Sequence, residues 1–392
     1  MFATLPEPQP DAIIALMAAF AADPRDGKVD LGVGVYKDDH GNTPVMRAVR
    51  VAEQRLHDKQ TTKTYTKLAG DPAFVAAMQK LALGETPDRL AGAAAPGGTG
   101  ALRVLFELIA RAAPGARFHI SDPSWPNHAA MLKAMDKAPG AYPYFDAETR
   151  GVRFEEMLAY VNGLGTDDVV ILHGCCHNPT GANLTLDQWQ QLTDSAVEKG
   201  WLPLIDLAYQ GLGDGLEEDV QGVRHMAARL PRLMIAQSCS KNFGLYRDRA
   251  GCATVQCADA DEQAKVQATL ASVNRLLYSF SPDHGAALVE IILNDPELRA
   301  DWEAELTEMR GRINGLREGL AEALRQETNS DRFDFIRQHR GMFSRLGATK
   351  EQVEQVREEA GIYMVTDSRM NIAGLTQDKL RDFARAAAAA GV

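Results

Sequence analysis

The sequence has no apolar run long enough to cross a membrane. Its longest, residues 12–22, lies between Asp11 and Asp23 and is far short of the ~20 residues a helical span requires. Cysteine is scarce: five residues at 175, 176, 239, 252 and 257, an odd number with no C-x-x-C spacing, which speaks against a disulfide framework or a zinc ribbon. Positive charge is in deficit, with 42 Lys+Arg against 53 Asp+Glu and a net charge of −11. That balance argues against a nucleic-acid footprint, which needs a basic stripe to displace counterions, and any anionic ligand must be captured by local cations. Residues 1–10 hold three prolines and no basic cluster, so they do not read as a signal or transit peptide, and a cytoplasmic protein is expected. Internal repeats, low-complexity linkers and long charge blocks are also missing.

What is present is a globular composition, 45% hydrophobic and 24% charged over 392 residues, enough chain for two to three domains. In the middle of the chain, short apolar runs alternate with longer amphipathic stretches. Residues 168–173, 202–206 and 233–237 read as buried strands. Between the first two, Thr185-Leu-Asp-Gln188 is a capping box that opens a helix closing at Gly200. This is βαβ order and predicts a mainly parallel sheet. Beyond residue 295 the pattern changes: helix over 296–324, strand-like pieces at 333–336 and 341–346, and a last helix over 377–390. These read as a smaller α+β domain, to which a helix over 11–22 could be added.

Ligands of an open α/β sheet gather outside the carboxyl ends of its strands. The segments there are His173-Gly-Cys-Cys-His-Asn-Pro-Thr-Gly181, Asp206-Leu-Ala-Tyr209 and Ser238-Cys-Ser-Lys241-Asn-Phe-Gly244. Asn178, Asp206 and Lys241 are separated by 28 and 35 residues, about one βαβ unit each, so they can converge on one crevice. A buried lysine with a carboxylate that holds a pyridine nitrogen protonated is the working pair of pyridoxal phosphate chemistry. Upstream, Pro96-Gly-Gly-Thr-Gly-Ala101 precedes a helical stretch over 102–110 and offers an anion cradle. Three other readings carry less. Ser238-Cys-Ser-Lys241 matches S-x-x-K without its K-T-G companion. His173, Cys175, Cys176 and His177 alternate in direction on an extended chain, which disfavours tetrahedral metal ligation. Gly32-Val-Gly34 lacks the third glycine of a dinucleotide fingerprint.

Taken together with Leu31-Gly-Val-Gly-Val-Tyr-Lys37, Pro123-Ser-Trp-Pro-Asn-His128 and Ser368-Arg-Met-Asn371, these motifs resemble the class I, fold-type I aminotransferases over essentially the whole chain. The aspartate and aromatic-amino-acid subgroup is the most similar. Segments such as Gly181-Ala-Asn-Leu-Thr-Leu-Asp-Gln-Trp189 and Gly341-Met-Phe-Ser-Arg-Leu-Gly347 look most like its bacterial aromatic-accepting members. The resemblance implies a large domain (36–305) with a mainly parallel seven-stranded sheet between helices. It also implies a small C-terminal domain (306–392) and an N-terminal segment (1–35) associated with it.

It also implies roles. Lys241 would bind the aldehyde of pyridoxal 5′-phosphate and later shuttle the substrate Cα proton. Asp206 would pair with the pyridinium nitrogen, with His128 and His173 behind it. Tyr209 and Asn178 would hydrogen-bond the phenolic oxygen, and Trp125 would cover the ring. Gly98, Thr99, Ser238, Ser240 and Arg249 would hold the phosphate, joined by Tyr65 from a second subunit of a homodimer. Arg369 would clamp the α-carboxylate of amino-acid and 2-oxo-acid substrates. Arg275, again across the dimer, would receive a distal carboxylate. Gly34 and Phe343 would line the pocket. Phe280 stands where many aspartate-specific members carry Asn, so the expected donors are Tyr, Phe and Trp together with aspartate, and 2-oxoglutarate is the expected acceptor. The alternatives are an aspartate aminotransferase with little aromatic activity, a non-catalytic cofactor-binding regulator, and a serine acyl hydrolase.

Overall fold

The computed structural model describes residues 2–4, 12–84 and 89–392. Asp11, where the first helix was expected to open, and most of residues 1–10 lie outside the described residues. The chain forms two compact units: a larger one of Pro44–Gly311 with His339–Gly341, and a smaller one of Met1–Thr43, Arg312–Gln338 and Met342–Val392. Among the described residues no helix is long and apolar enough to cross a membrane.

The larger unit is built on seven strands: β1 (Leu90–Pro96), β2 (Arg117–Asp122), β3 (Gly140–Pro143), β4 (Asp168–His173), β5 (Leu202–Leu207), β6 (Leu233–Ser238) and β7 (Ala250–Gln256). Their order across the sheet is β1-β7-β6-β5-β4-β2-β3. β7 runs antiparallel to both β1 and β6, and every other pair is parallel. The runs Val169-Val-Ile-Leu172 and Leu233-Met-Ile235 are buried throughout, as strands covered on both faces must be. Parallel neighbours need crossovers, and helices Leu186–Lys199 and Gln221–Arg229 supply them. The first opens at the expected capping box, where Thr185 Oγ1 accepts from Gln188 N at 3.2 Å and Gln188 Oε1 accepts from Thr185 N at 2.9 Å. It ends at Gly200, whose φ of +81° is the left-handed stop that glycine adopts most easily. Helix Gly97–Ala112 packs Leu102, Leu105, Phe106 and Ile109 into the core beneath the sheet. It begins earlier than the apolar pattern predicts, so Gly97, Gly98 and Gly100 form its first turn.

The smaller unit carries two two-stranded pairs, Val29–Asp30 parallel to Ile362–Tyr363 and Phe343–Arg345 antiparallel to Arg369–Asn371. Around them lie helices Lys350–Ala360 and Leu380–Ala389 and the carboxyl part of Pro296–Thr328, with Leu316, Leu320, Ile336, Met370 and Phe383 in the core. Residues 333–336 are not a strand. Phe333, Phe335 and Ile336 are all buried, but Ile336 N bonds Phe333 O and Arg337 N bonds Asp334 O, which makes turns that lead into the short helix Phe335–Gln338. The alternation Phe-Asp-Phe mimics a strand, while local hydrogen bonds decide the backbone. The last helix starts at Leu380, after a 3₁₀ turn at Gln377–Lys379.

Candidate active site

Parallel register sets His173 beside Asp206, so the carboxyl ends of β4 and β5 place both side chains at the same edge. Asp206 is buried, and its Oδ2 lies 2.9 Å from His128 Nε2. His128, from helix Pro126–Lys133, has its Nδ1 3.0 Å from Ser124 Oγ, which also lies 3.4 Å from His173 Nε2. Trp125 meets the His128 ring edge-on at 5.2 Å. Burial alone would raise the Asp206 carboxyl. The His128 hydrogen bond and the nearby Lys241 charge outweigh it and hold the group below its ordinary range. Burial, with His128 beside it, pushes His173 down to about 3, so that imidazole is neutral.

Lys241, three residues beyond β6, sets its Nζ 4.9 Å from the centre of the Tyr209 ring, which is itself buried two residues beyond β5. Burial brings the Lys241 amine down to about 8. The Arg249 charge acts in the same direction, and Asp206 opposes both. A lysine in that range is substantially neutral, hence nucleophilic, slightly above neutral pH.

The first turn of helix Gly97–Ala112 holds Gly98 and Thr99, whose amides have no carbonyl one turn back to bond. Gly97 has φ +71°, and a Cβ there would lie 2.5 Å from Arg249 Nη2; one on Gly98 would lie 3.0 Å from Ser238 Cβ. Arg249 donates through Nη1 to Ser240 Oγ and to Tyr246 O, each at 3.2 Å. Open amides, two buried serines and a guanidinium thus close around one small space, a cradle for a dianion.

Asn178 is buried, and its Oδ1 has no hydrogen-bond partner, while its backbone N–H points to His173 Nδ1 at 3.5 Å. An amide can flip to present donor or acceptor, so a buried and unsatisfied one is suited to a ligand's polar atom. The neighbouring cysteines serve differently. Cys175, Cys176 and Asp219 offer ligand atoms within 4.8 Å of one another, yet Asp219 already accepts from the backbone N–H groups of Gly211, Gly213 and Asp214, which engages both of its oxygens. Behind His173 lies a layer whose packing no motif indicates. His177 stacks on Tyr144 at 4.0 Å and lies within hydrogen-bond distance of Ser121 Oγ and Thr180 Oγ1, at 3.0 and 2.8 Å. Ser124 was likewise hidden inside its motif, because nothing in a serine's identity signals that it bridges two imidazoles.

In the smaller unit Arg369, buried, donates through Nη2 to Gly32 O at 2.9 Å and lies over the Phe343 ring at 4.7 Å. A Cβ on Gly34 would come within 2.9 Å of the same ring, so glycine permits that approach. On the larger unit Tyr65 and Arg275 are exposed, Tyr65 at 79%, and neither belongs to the Asp206–Lys241 cluster. Arg275 donates to Ser279 Oγ at 2.7 Å.

A phosphorylated pyridine aldehyde fits these groups. Asp206 is held anionic for a ring nitrogen, Lys241 has an amine close to neutrality for the aldehyde, the cradle suits a phosphate, and the Asn178 amide awaits a partner. Comparison with known proteins points the same way. The model of the family "aminotransferase class I and II" matches residues 26–386. The aromatic-amino-acid aminotransferase of Paracoccus denitrificans is 55% identical over 394 residues, covering 100% of both chains. The aspartate aminotransferase of Escherichia coli (strain K12) is 44% identical over 385 residues, 97% of each. The crystal structure of the Burkholderia pseudomallei aromatic-amino-acid aminotransferase, covalently bound to pyridoxal phosphate, superposes with a TM-score of 0.97 at 42% identity, covering 100% of this chain and 99% of that one. With the fold, the strand-end cluster and a full-length match in agreement, the chain belongs to the class I and II aminotransferases.

Proposed function

We propose that the protein is an aromatic-amino-acid aminotransferase. In this reading it transfers the amino group of tyrosine, phenylalanine or tryptophan, and of aspartate, to 2-oxoglutarate, and it works as a cytoplasmic homodimer with pyridoxal 5′-phosphate at Lys241. The observation that carries it is the Lys241 amine set against Tyr209 with an ionised Asp206 alongside. The cofactor supplies an electron sink for the pair of electrons left when the donor's Cα loses its proton. Asp206, backed by His128, holds the proton on the ring nitrogen and so keeps that sink effective. Tyr209 and Asn178 would hydrogen-bond the phenolic oxygen. Lys241 Nζ would take the Cα proton and carry it between substrate and cofactor. Gly98, Thr99, Ser238, Ser240 and Arg249 would hold the phosphate, and Trp125 would cover the ring. Arg369 binds the α-carboxylate through its planar fork, in a pocket lined by Gly34 and Phe343.

Tyr65 and Arg275 are assigned to the partner's site, which accounts for their exposure. Five free, buried thiols agree with a reducing compartment. Arg275 also favours the second reading, an aspartate aminotransferase, because a guanidinium recognises a distal carboxylate. The test is a comparison of donor rates with 2-oxoglutarate as acceptor. Turnover of aspartate and all three aromatic donors is expected, and turnover of aspartate alone would leave the second reading. Light scattering that returns a monomer with full activity would remove the shared site.

A further inference from the structure

The phenol ring of Tyr65, exposed as it is, does not project freely. It stacks on Phe280, with ring centroids 4.6 Å apart and planes inclined by 15°. Among the described residues its hydroxyl has no hydrogen-bond partner, so the stack orients the ring while leaving the hydroxyl available. The stack is built from a rigid base. Asn274, fully buried near the end of helix Ala260–Leu277, donates through Nδ2 to Leu68 O and Ala94 O, each at 3.0 Å, and accepts from the Tyr278 hydroxyl at 2.6 Å. That pins the loop bearing Tyr65 to the segment bearing Phe280. Ser279 then takes a left-handed φ of +69°, uncommon for a residue with a side chain, and this turns the chain at Phe280.

We infer that Phe280 is a positioning residue for the cofactor phosphate, acting through Tyr65: the stack holds the phenol in the direction from which it reaches the neighbouring subunit's site. This rests on the reading that Tyr65 serves the partner's phosphate. The physical gain is entropic. An exposed tyrosine that must fix two torsions to reach a ligand binds more weakly than one already fixed by a neighbouring ring.

The test uses holoenzyme converted to its pyridoxamine phosphate form, with cofactor retention measured by dialysis. Phe280→Leu should weaken retention about two- to tenfold, the scale of one aromatic pair. Phe280→Tyr, which keeps a ring, should match wild type. Pyridoxal, which lacks the phosphate, should bind wild type and Phe280→Leu alike. In a Tyr65→Phe background Phe280→Leu should add nothing, because the hydroxyl it positions is gone. Weak retention in Tyr65→Phe with normal retention in Phe280→Leu overturns the proposal and leaves the Tyr65 reading intact. Additive losses overturn it too, since Phe280 would then act by another route. Normal retention in Tyr65→Phe overturns the Tyr65 reading itself, and the proposal with it. Should light scattering show that Phe280→Leu does not assemble, Phe280→Met, which keeps the bulk without the ring, carries the same comparisons.

Discussion

His128 Nε2 lies 2.9 Å from Asp206 Oδ2 with both side chains buried, and this contact is the largest of the effects that favour the ionised carboxylate. Burial favours the neutral acid, while the hydrogen bond and the nearby Lys241 charge together favour the anion and prevail. Replacing His128 by Phe therefore raises the Asp206 carboxyl. A group needed as an anion then becomes protonated at a higher pH, so the acid limb of kcat/KM moves upward. Asp206→Asn removes the charge outright and should lower kcat on the order of a hundred- to a thousandfold, the scale for loss of a preorganised electrostatic contact. A pH–rate profile of each variant checks both.

Lys241 gives a prediction of opposite sign. Its amine, pushed down to about 8 by burial, must be neutral to attack an aldehyde. The rate at which apoenzyme takes up pyridoxal phosphate should rise with pH and level off above about 8. Because the Asp206 charge holds this value up, Asp206→Ala should move the midpoint to lower pH. Lys241→Ala should give protein that no longer fixes the cofactor under borohydride.

In the proposed reading the two arginines bind opposite ends of the substrate, Arg369 the common one and Arg275 the variable one. Arg275→Leu should lower kcat/KM for aspartate by about 2–5 kcal/mol in activation free energy, the range for truncating one partner of a buried charge pair, and leave tyrosine and phenylalanine within a few-fold. Arg369→Lys, which keeps the charge but loses the fork and the contact over Phe343, should impair all donors alike. Steady-state kinetics with each donor distinguish the patterns.

Much of this arrangement can be read from the sequence because it depends on strand ends. Asp206, Tyr209 and Lys241 follow apolar runs that parallel pairing brings side by side, and the capping box at Thr185 fixes where a crossover begins. The resemblance supplied what the pattern could not: β1, β2, β3 and β7 are rich in Ala and Gly or interrupted by polar residues, so no periodic run marks them. The Phe-Asp-Phe of 333–335 has the alternation of a strand without its backbone, because burial of alternate residues is not unique to strands. Ser124, His177 and the Phe280–Tyr65 stack depend on contacts between residues tens to hundreds of positions apart, which one sequence does not encode legibly.

Away from the site, Asp168 at the start of β4 is fully buried and binds Arg117 in a two-pronged pair, each contact 2.7 Å, while His119 Nε2 lies 2.8 Å away. The Arg117 hydrogen bonds hold its carboxyl well below the usual range. A carboxylate lowered in the folded state stabilises the fold above its unfolded pKa of about 3.9 and loses that contribution as pH falls through the folded value. Asp168→Asn should thus cost on the order of 2–3 kcal/mol at pH 7. The difference from wild type should shrink only in acid, below about pH 4. Urea denaturation at several pH values measures this.

Gly97 tests the phosphate cradle from the backbone side. Its φ of +71° costs a side-chain-bearing residue about 1–2 kcal/mol, and the added methyl would meet Arg249 Nη2 at 2.5 Å. Gly97→Ala therefore has two separable effects. The strain lowers the melting temperature with or without cofactor. The displaced guanidinium leaves Ser240 and weakens retention of pyridoxal phosphate more than that of pyridoxal, because only the phosphate loses a partner. Equal weakening of the two ligands would mean that Arg249 does not face the phosphate. The cradle would then rest on the amides of Gly98 and Thr99 and the serine hydroxyls alone.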